Sequence, residues 1–145
     1  MGHGRKIAME VKPGKILVVD DGKMARLLLA RQLTADGHEV TETVSGEEAL
    51  EKLREARFDL VILDVLMPGL SGMETLEKIR SDHSAADLPI IMATAQDQVD
   101  TMTQAFELGA NDYVTKPVMF PILRARLNTH LRLLQALRRL GEAGA

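Results

Sequence analysis

Three short apolar runs constrain this chain more than anything else in it. KILVVD (15–20), DLVILD (59–64) and LPIIMAT (88–94) are nearly uninterrupted Val, Ile and Leu, and each gives way to a polar residue at its C-terminal end. Continuous rather than alternating apolar residues mark strands covered on both faces, the condition of a parallel sheet. Parallel neighbours need long crossovers, and the intervening segments supply them. GKMARLLLARQLTADG (22–37) has helical spacing, with Met24, Leu27, Leu28 and Leu33 near one face and Gly37 as a C-terminal stop. HEVTETV (38–44) alternates as a strand does. Ser45 then caps a helix, with Glu48 at capping-box spacing. GMETLEKIRSD (72–82) and QDQVDTMTQAFELG (96–109) read as helices, ANDYVTK (110–116) as a fifth strand, and a long helix runs from Pro117 to about Leu140. Five βα units predict an α/β fold, a doubly wound five-stranded parallel sheet with right-handed crossovers and an extended C-terminal helix.

The aspartate that ends DLVILD raises a question. An unpaired buried carboxylate is costly or is driven to its neutral form. Asp64 therefore belongs at the solvent-facing mouth of its strand, beside a cation. In doubly wound sheets ligands bind beyond the carboxyl ends of the strands, at the switch point. The first strand ends in Asp20-Asp21, the third in Asp64, the fourth in Thr94-Ala95 and the fifth in Thr115-Lys116-Pro117. Three carboxylates do not all stay ionised at close range without a cation. Hard oxygen donors suit Mg2+, which keeps several waters and takes one or two carboxylates plus a phosphate oxygen. Lys116 and Thr94 are placed to hold the remaining phosphate oxygens, and an aspartate so surrounded can act as an oxygen nucleophile toward phosphorus. A lone aspartate at a strand end is ordinarily a loop cap. The specificity lies in four strand ends that each supply a matching group.

These residues resemble the receiver domains of two-component response regulators over about residues 14–125. ILVVDD, DLVILDVLMPGLSG, PIIMATA and GANDYVTKP carry the resemblance, and it implies a (βα)5 flavodoxin-like receiver fold. It implies that Asp64 is the phosphoacceptor, supplied from phosphohistidine by a sensor histidine kinase or a phosphotransfer protein. It implies that Asp21, Asp64 and the backbone carbonyl of Leu66 bind Mg2+, with Asp20 acting through water. Thr94 and Tyr113 become the switch pair, Lys116 the phosphate-binding lysine and Lys116-Pro117 a cis bond. The signal then leaves through the face of the fourth helix, fifth strand and fifth helix. Such a domain is cytoplasmic and no enzyme in the ordinary sense: it catalyses only its own Mg2+-dependent phosphorylation and slow dephosphorylation. Three positions depart from the family's habits. Ser71 replaces a frequent Asp, Leu66 is apolar two residues past the acceptor, and Gln96 is uncharged two residues past Thr94. The last two predict a long-lived phosphoryl group.

The alternatives fare worse. A receiver that only binds partners, without control by phosphorylation, would have lost an acceptor-site residue. A dehalogenase-type phosphatase needs an acid at position 66, and a flavin binder needs a Gly/Ser/Thr-rich loop in place of DDGKMAR. The chain has no cysteine and so no disulfide or thiolate metal site, and no apolar run approaches the ~18 residues that span a membrane. Gly2 lacks a myristoylation signal. The histidines (3, 38, 83 and 130) show no ligand spacing, and the methionines read as filler.

Residues 1–13 read as a flexible lead-in without signal-peptide character, with Met9 as an alternative start. Residues 14–127 are expected to form the receiver, and 128–145 to extend the last helix, either as a single helix with a frayed end or as a linker to an output module outside the given sequence. Phe120, Leu123, Leu127, Leu134 and Leu137 fit a heptad-like seam with His130 in the gap. That seam, or the face of the fourth helix, fifth strand and fifth helix, would serve a homodimer. From Tyr113 to Gly141 there is no acid against Lys116 and five arginines, about +6, which leaves about −9 elsewhere in a chain of net charge −3. No aromatic interleaves those arginines to stack on bases, so the segment reads as a solvated helix face beside an acidic domain, with no direct nucleic-acid contact.

Overall fold

The apolar runs do pair. In the computed structural model, which describes residues 11–144, the elements are β1 (Lys15–Val19), α1 (Lys23–Ala35), β2 (Glu39–Thr43), α2 (Gly46–Glu55), β3 (Leu60–Leu63), α3 (Gly72–Asp82), β4 (Ile90–Thr94), α4 (Val99–Glu107), β5 (Asp112–Thr115) and α5 (Phe120–Gly144). The expected lead-in as far as residue 10, with Gly2, His3 and Met9, lies outside the described residues. The five strands form one parallel sheet in the order β2-β1-β3-β4-β5.

Strand parity divides the core. Leu17, Val19, Val61, Leu63, Ile90 and Met92 pack on one face with Ala49 of α2, Leu76 and Ile79 of α3 and Ala105 of α4. Ile16, Val18, Leu60, Ile62, Ile91 and Ala93 pack on the other with α1 and α5. Both faces are therefore dry, which is why the runs need apolar residues at every position.

Local signals set the helix ends. The Ser45 hydroxyl accepts from the Glu48 amide at 3.1 Å, but the Glu48 carboxylate passes the cap and takes the Val44 amide at 2.8 Å. The reciprocal capping box closes at α3 instead, between Ser71 and Glu74. Gly37 and Gly109 end their helices at φ of 96° and 108°, backbone that favours glycine.

Two helices sit differently from the sequence pattern. α1 buries Leu29, Ala30 and Leu33, whereas Met24 is 78% and Leu28 59% exposed, so only Leu33 of the expected face reaches the core. α5 buries Phe120, Leu123, Leu127, Leu131 and Leu134, and Leu137 falls off the stripe. Packing therefore continues along α5 as far as Leu134. Gln135 exchanges two hydrogen bonds with the Lys12 backbone, at 3.1 and 2.9 Å, and Arg138 meets Asp59 at 2.7 Å. Leu131 and Leu134, in the second half of α5, belong to the same buried cluster as Ile16 of β1 and Leu60 of β3.

Candidate functional site

Strand register builds the rim. Val19 pairs with Leu63 across β1 and β3, so the next residues, Asp20 and Asp64, emerge side by side at the carboxyl edge. The Asp64 amide remains in the ladder, donating to the Val19 carbonyl at 3.0 Å, and the Asp20 amide donates to Thr43 at 3.1 Å. Thr94 pairs with Thr115, which brings Lys116 to the same edge. The strand order reverses between β1 and β3, the crevice where open α/β sheets take their ligands.

The cation beside Asp64 is Lys116. Its ammonium donates to Asp20 Oδ2 at 2.6 Å and to Asp64 Oδ2 at 3.1 Å. Asp20 and Asp64 are buried, and a carboxylate pair at that depth needs such a donor. Burial alone would lower the lysine, but its hydrogen bonds to Asp20 and Asp64 outweigh it and hold the ammonium above its ordinary value. Asp21 is exposed, and one oxygen each from Asp20, Asp21 and Asp64 lie within 4.8 Å of one another. Among the described residues no other such cluster of acids or histidines forms. One ammonium against three carboxylates leaves net negative charge in an all-oxygen donor set, the chemistry a hard divalent cation fits.

The loop after Asp64 is shaped by close approaches. The Leu66 amide donates to Asp64 Oδ1 at 3.2 Å, and Leu66 itself is 56% exposed. A Cβ on Gly72 would fall 1.9 Å from the Asp64 carbonyl oxygen, so any larger residue there would displace the end of β3. Gly69 turns at φ 76°, and the Leu70 amide is held by Glu47 of α2 at 3.2 Å.

Thr94 and Tyr113 meet through one backbone unit. The buried Thr94 hydroxyl accepts from the Gln96 amide at 3.3 Å, and the Tyr113 hydroxyl donates to the Gln96 carbonyl. Tyr113 is turned inward, 6% exposed, with its ring against Phe106. Burial, then the charges of Asp97 and Asp64, keep its hydroxyl protonated beyond the usual tyrosine range. Lys116-Pro117 is cis, as the resemblance implied.

Two parts of the rim were not anticipated. Gln96 contributes backbone atoms, which no residue-type pattern reveals. Arg26 of α1 donates to the Asp20 carbonyl at 3.0 Å and to Glu42 of β2 at 3.2 Å; its only sequence signal is an arginine shortly after the acidic pair. The three histidines among the described residues serve elsewhere: buried His38 accepts the Gly14 amide, His83 caps α3, and His130 faces Asp112 at 3.0 Å.

Known proteins resemble this chain in sequence and fold. The family model described as the response regulator receiver domain matches residues 16–128. The transcriptional regulatory protein YkoG of Bacillus subtilis is 38% identical over 122 residues, 84% of this chain and 53% of YkoG. AfsQ1 of Streptomyces coelicolor, also a transcriptional regulatory protein, is 41% identical over 117 residues, 81% of this chain and 51% of its own length. The chain thus spans about half the length of these relatives. A CheY-like receiver domain protein from Methanospirillum hungatei superposes with a TM-score of 0.81 at 26% identity, covering 86% of this chain and 98% of its own. With its sheet order, acidic rim and lysine all accounted for, the chain belongs to the response regulator receiver domain family of two-component systems.

Proposed function

We propose that this receiver is a phosphorylation switch whose acceptor is Asp64, charged by a sensor histidine kinase or a histidine phosphotransfer protein. The observation that carries the reading is the Lys116 ammonium shared by Asp20 and Asp64 in an otherwise acidic pocket. An Asp64 oxygen attacks phosphorus, the bond to the donor's imidazole nitrogen breaks, and that nitrogen keeps the electron pair. Lys116 is already within reach of the acceptor and neutralises the incoming oxygens, and Thr94 offers its hydroxyl proton to one of them. Receiver domains bind Mg2+ through an acidic pocket. Here Asp21, Asp64 and the Leu66 carbonyl would hold the ion directly, with Asp20 through water. When bound, it supplies charge neutralisation for the transferred group.

Gln96 links the readout. Its amide holds Thr94 and its carbonyl holds Tyr113, so a threonine drawn to the phosphoryl group disturbs the tyrosine's partner as well. The altered surface would be that of α4, β5 and α5, where Val99 is 75% and Phe106 47% exposed. An output module or a second copy of the chain would read it there, or along the last helix. The transcriptional regulators among the relatives support a longer protein with a separate output.

The test is an intact mass after incubation with acetyl phosphate, with and without Mg2+, beside an Asp64→Asn control. One Mg2+-dependent phosphoryl adduct, absent from the control, is expected. No adduct with Mg2+ bound would replace this reading with a receiver that only binds partners.

A further inference from the structure

Asp21 is exposed and makes no hydrogen bond or ion pair with the described residues. Its side chain therefore stands wherever the backbone of Asp20 and Gly22 puts it. That backbone is pinned at several points. The Asp20 amide donates to Thr43, Asp20 Oδ1 takes the Gly22 amide at 2.8 Å, and the Gly22 carbonyl takes the Arg26 amide at 2.9 Å. The remaining Asp20 group, its carbonyl, accepts from Arg26 Nη1 at 3.0 Å. The same guanidinium spends Nε on Glu42 Oε1 at 3.2 Å. With its side chain only 12% exposed, Arg26 is a planar fork wedged between the acidic turn and β2. A guanidinium bound at two edges has little freedom left.

We infer that Arg26, aimed by Glu42, is the positioning residue of the divalent-cation site: it fixes the turn that presents Asp20 and Asp21. The inference rests on reading the acidic pocket as that site. Charge and tether make opposite predictions here. A positive group beside the pocket repels a divalent cation, so if Arg26 acted by charge alone its removal would tighten binding. If it acts by holding the turn, removal loosens binding, because partners that orient metal ligands are worth about ten- to a hundredfold in affinity. Among the described residues the Glu42 carboxylate meets the pocket only through Arg26, so the two side chains act as a unit and their losses do not add.

The experiment is isothermal titration of the whole chain with Mg2+, checked by Mn2+ electron paramagnetic resonance, alongside melting temperatures in metal-free buffer. Arg26→Ala is expected to weaken Mg2+ about tenfold. Arg26→Lys restores part of this, because one ammonium cannot keep the fork's two-edged geometry. Glu42→Gln weakens binding about threefold, and the Arg26→Ala/Glu42→Gln double variant is no worse than Arg26→Ala alone. Unchanged or tighter Mg2+ binding by Arg26→Ala, whatever its melting temperature, overturns the inference. Should Arg26→Ala not fold, wild-type affinity in both Arg26→Lys and Glu42→Gln overturns it equally. A wild-type chain that binds neither ion overturns the cation reading of the pocket itself, a different result from a wild type that binds and variants that match it.

Discussion

Lys116 decides the chemistry of the rim. Two buried carboxylates share it, so it is the counter-ion of both, and in the proposed transfer the group that would meet the phosphoryl oxygens. Its proton affinity is raised in the folded chain. The stabilisation this gives is complete below the ordinary lysine value of about 10.4 and is lost as pH rises through the higher folded value. Urea melts should therefore show a stability gap between wild type and Lys116→Met that is steady from about pH 7 to 9 and shrinks above about 10.5. Leu66, exposed two residues past Asp64, the proposed acceptor, has a side chain with no polar atom to steer a hydrolytic water. Leu66→Asn should shorten the phosphoryl lifetime severalfold by time-resolved mass measurement, and an unchanged lifetime would sink the expectation of a durable mark. The residues of the rim were legible in the sequence because a parallel sheet collects its strand ends at one edge, so a residue's place at a strand end fixes its neighbourhood. Arg26 was not legible, since its partners lie on β2 and on a backbone carbonyl.

At the level of elements, the strands were the easiest to read and the helix faces the hardest. A strand buried on both sides declares itself by apolar content alone, and β1, β3 and β4 lie where the runs predicted. A helix must also choose which face to bury, and leucines on several faces leave that choice to packing. In α1 the choice fell on Leu29, Ala30 and Leu33, and in α5 Leu131 took the place that heptad spacing gave to His130. The consequence is measurable. Leu131 is fully buried and Leu133 is 57% exposed. Leu131→Ala should cost about 2–5 kcal/mol in urea unfolding, whereas Leu133→Ala should stay within about 0.5 kcal/mol. Equal effects would mean that the second half of α5 does not pack on the sheet. Helix caps were legible as a device but not as an address: the same Ser-x-x-Glu spacing starts α2 and α3, and only α3 closes the reciprocal pair.

For the whole molecule, the uneven charge resolves into pairing. Arg124, Arg126 and Arg138 of the basic helix meet Asp36, Asp112 and Asp59, so the positive segment is matched to the acidic remainder of its own fold. In the acidic pocket one ammonium faces three carboxylates and leaves negative charge uncompensated. A ligand that binds only the folded chain stabilises it by mass action, about 2.7 kcal/mol at a hundredfold excess over its Kd. Mg2+ should therefore raise the melting temperature in a concentration-dependent way, and Asp21→Ala should flatten that response while leaving the metal-free melt nearly unchanged. α5 then acquires a mechanical meaning. It begins four residues beyond Lys116 at the carboxyl edge of the sheet and passes Lys12 and Asp59 at the opposite edge. Its 25 residues make a rod about 37 Å long at 1.5 Å per residue. A tilt of about 5° at the rim would carry the far end by about 3 Å over that length, with its grip on Lys12 and Asp59 as the brake. The helix thus spans the fold from the rim that holds Asp64 to the opposite edge, so a small change of angle at the one would appear as a larger displacement at the other.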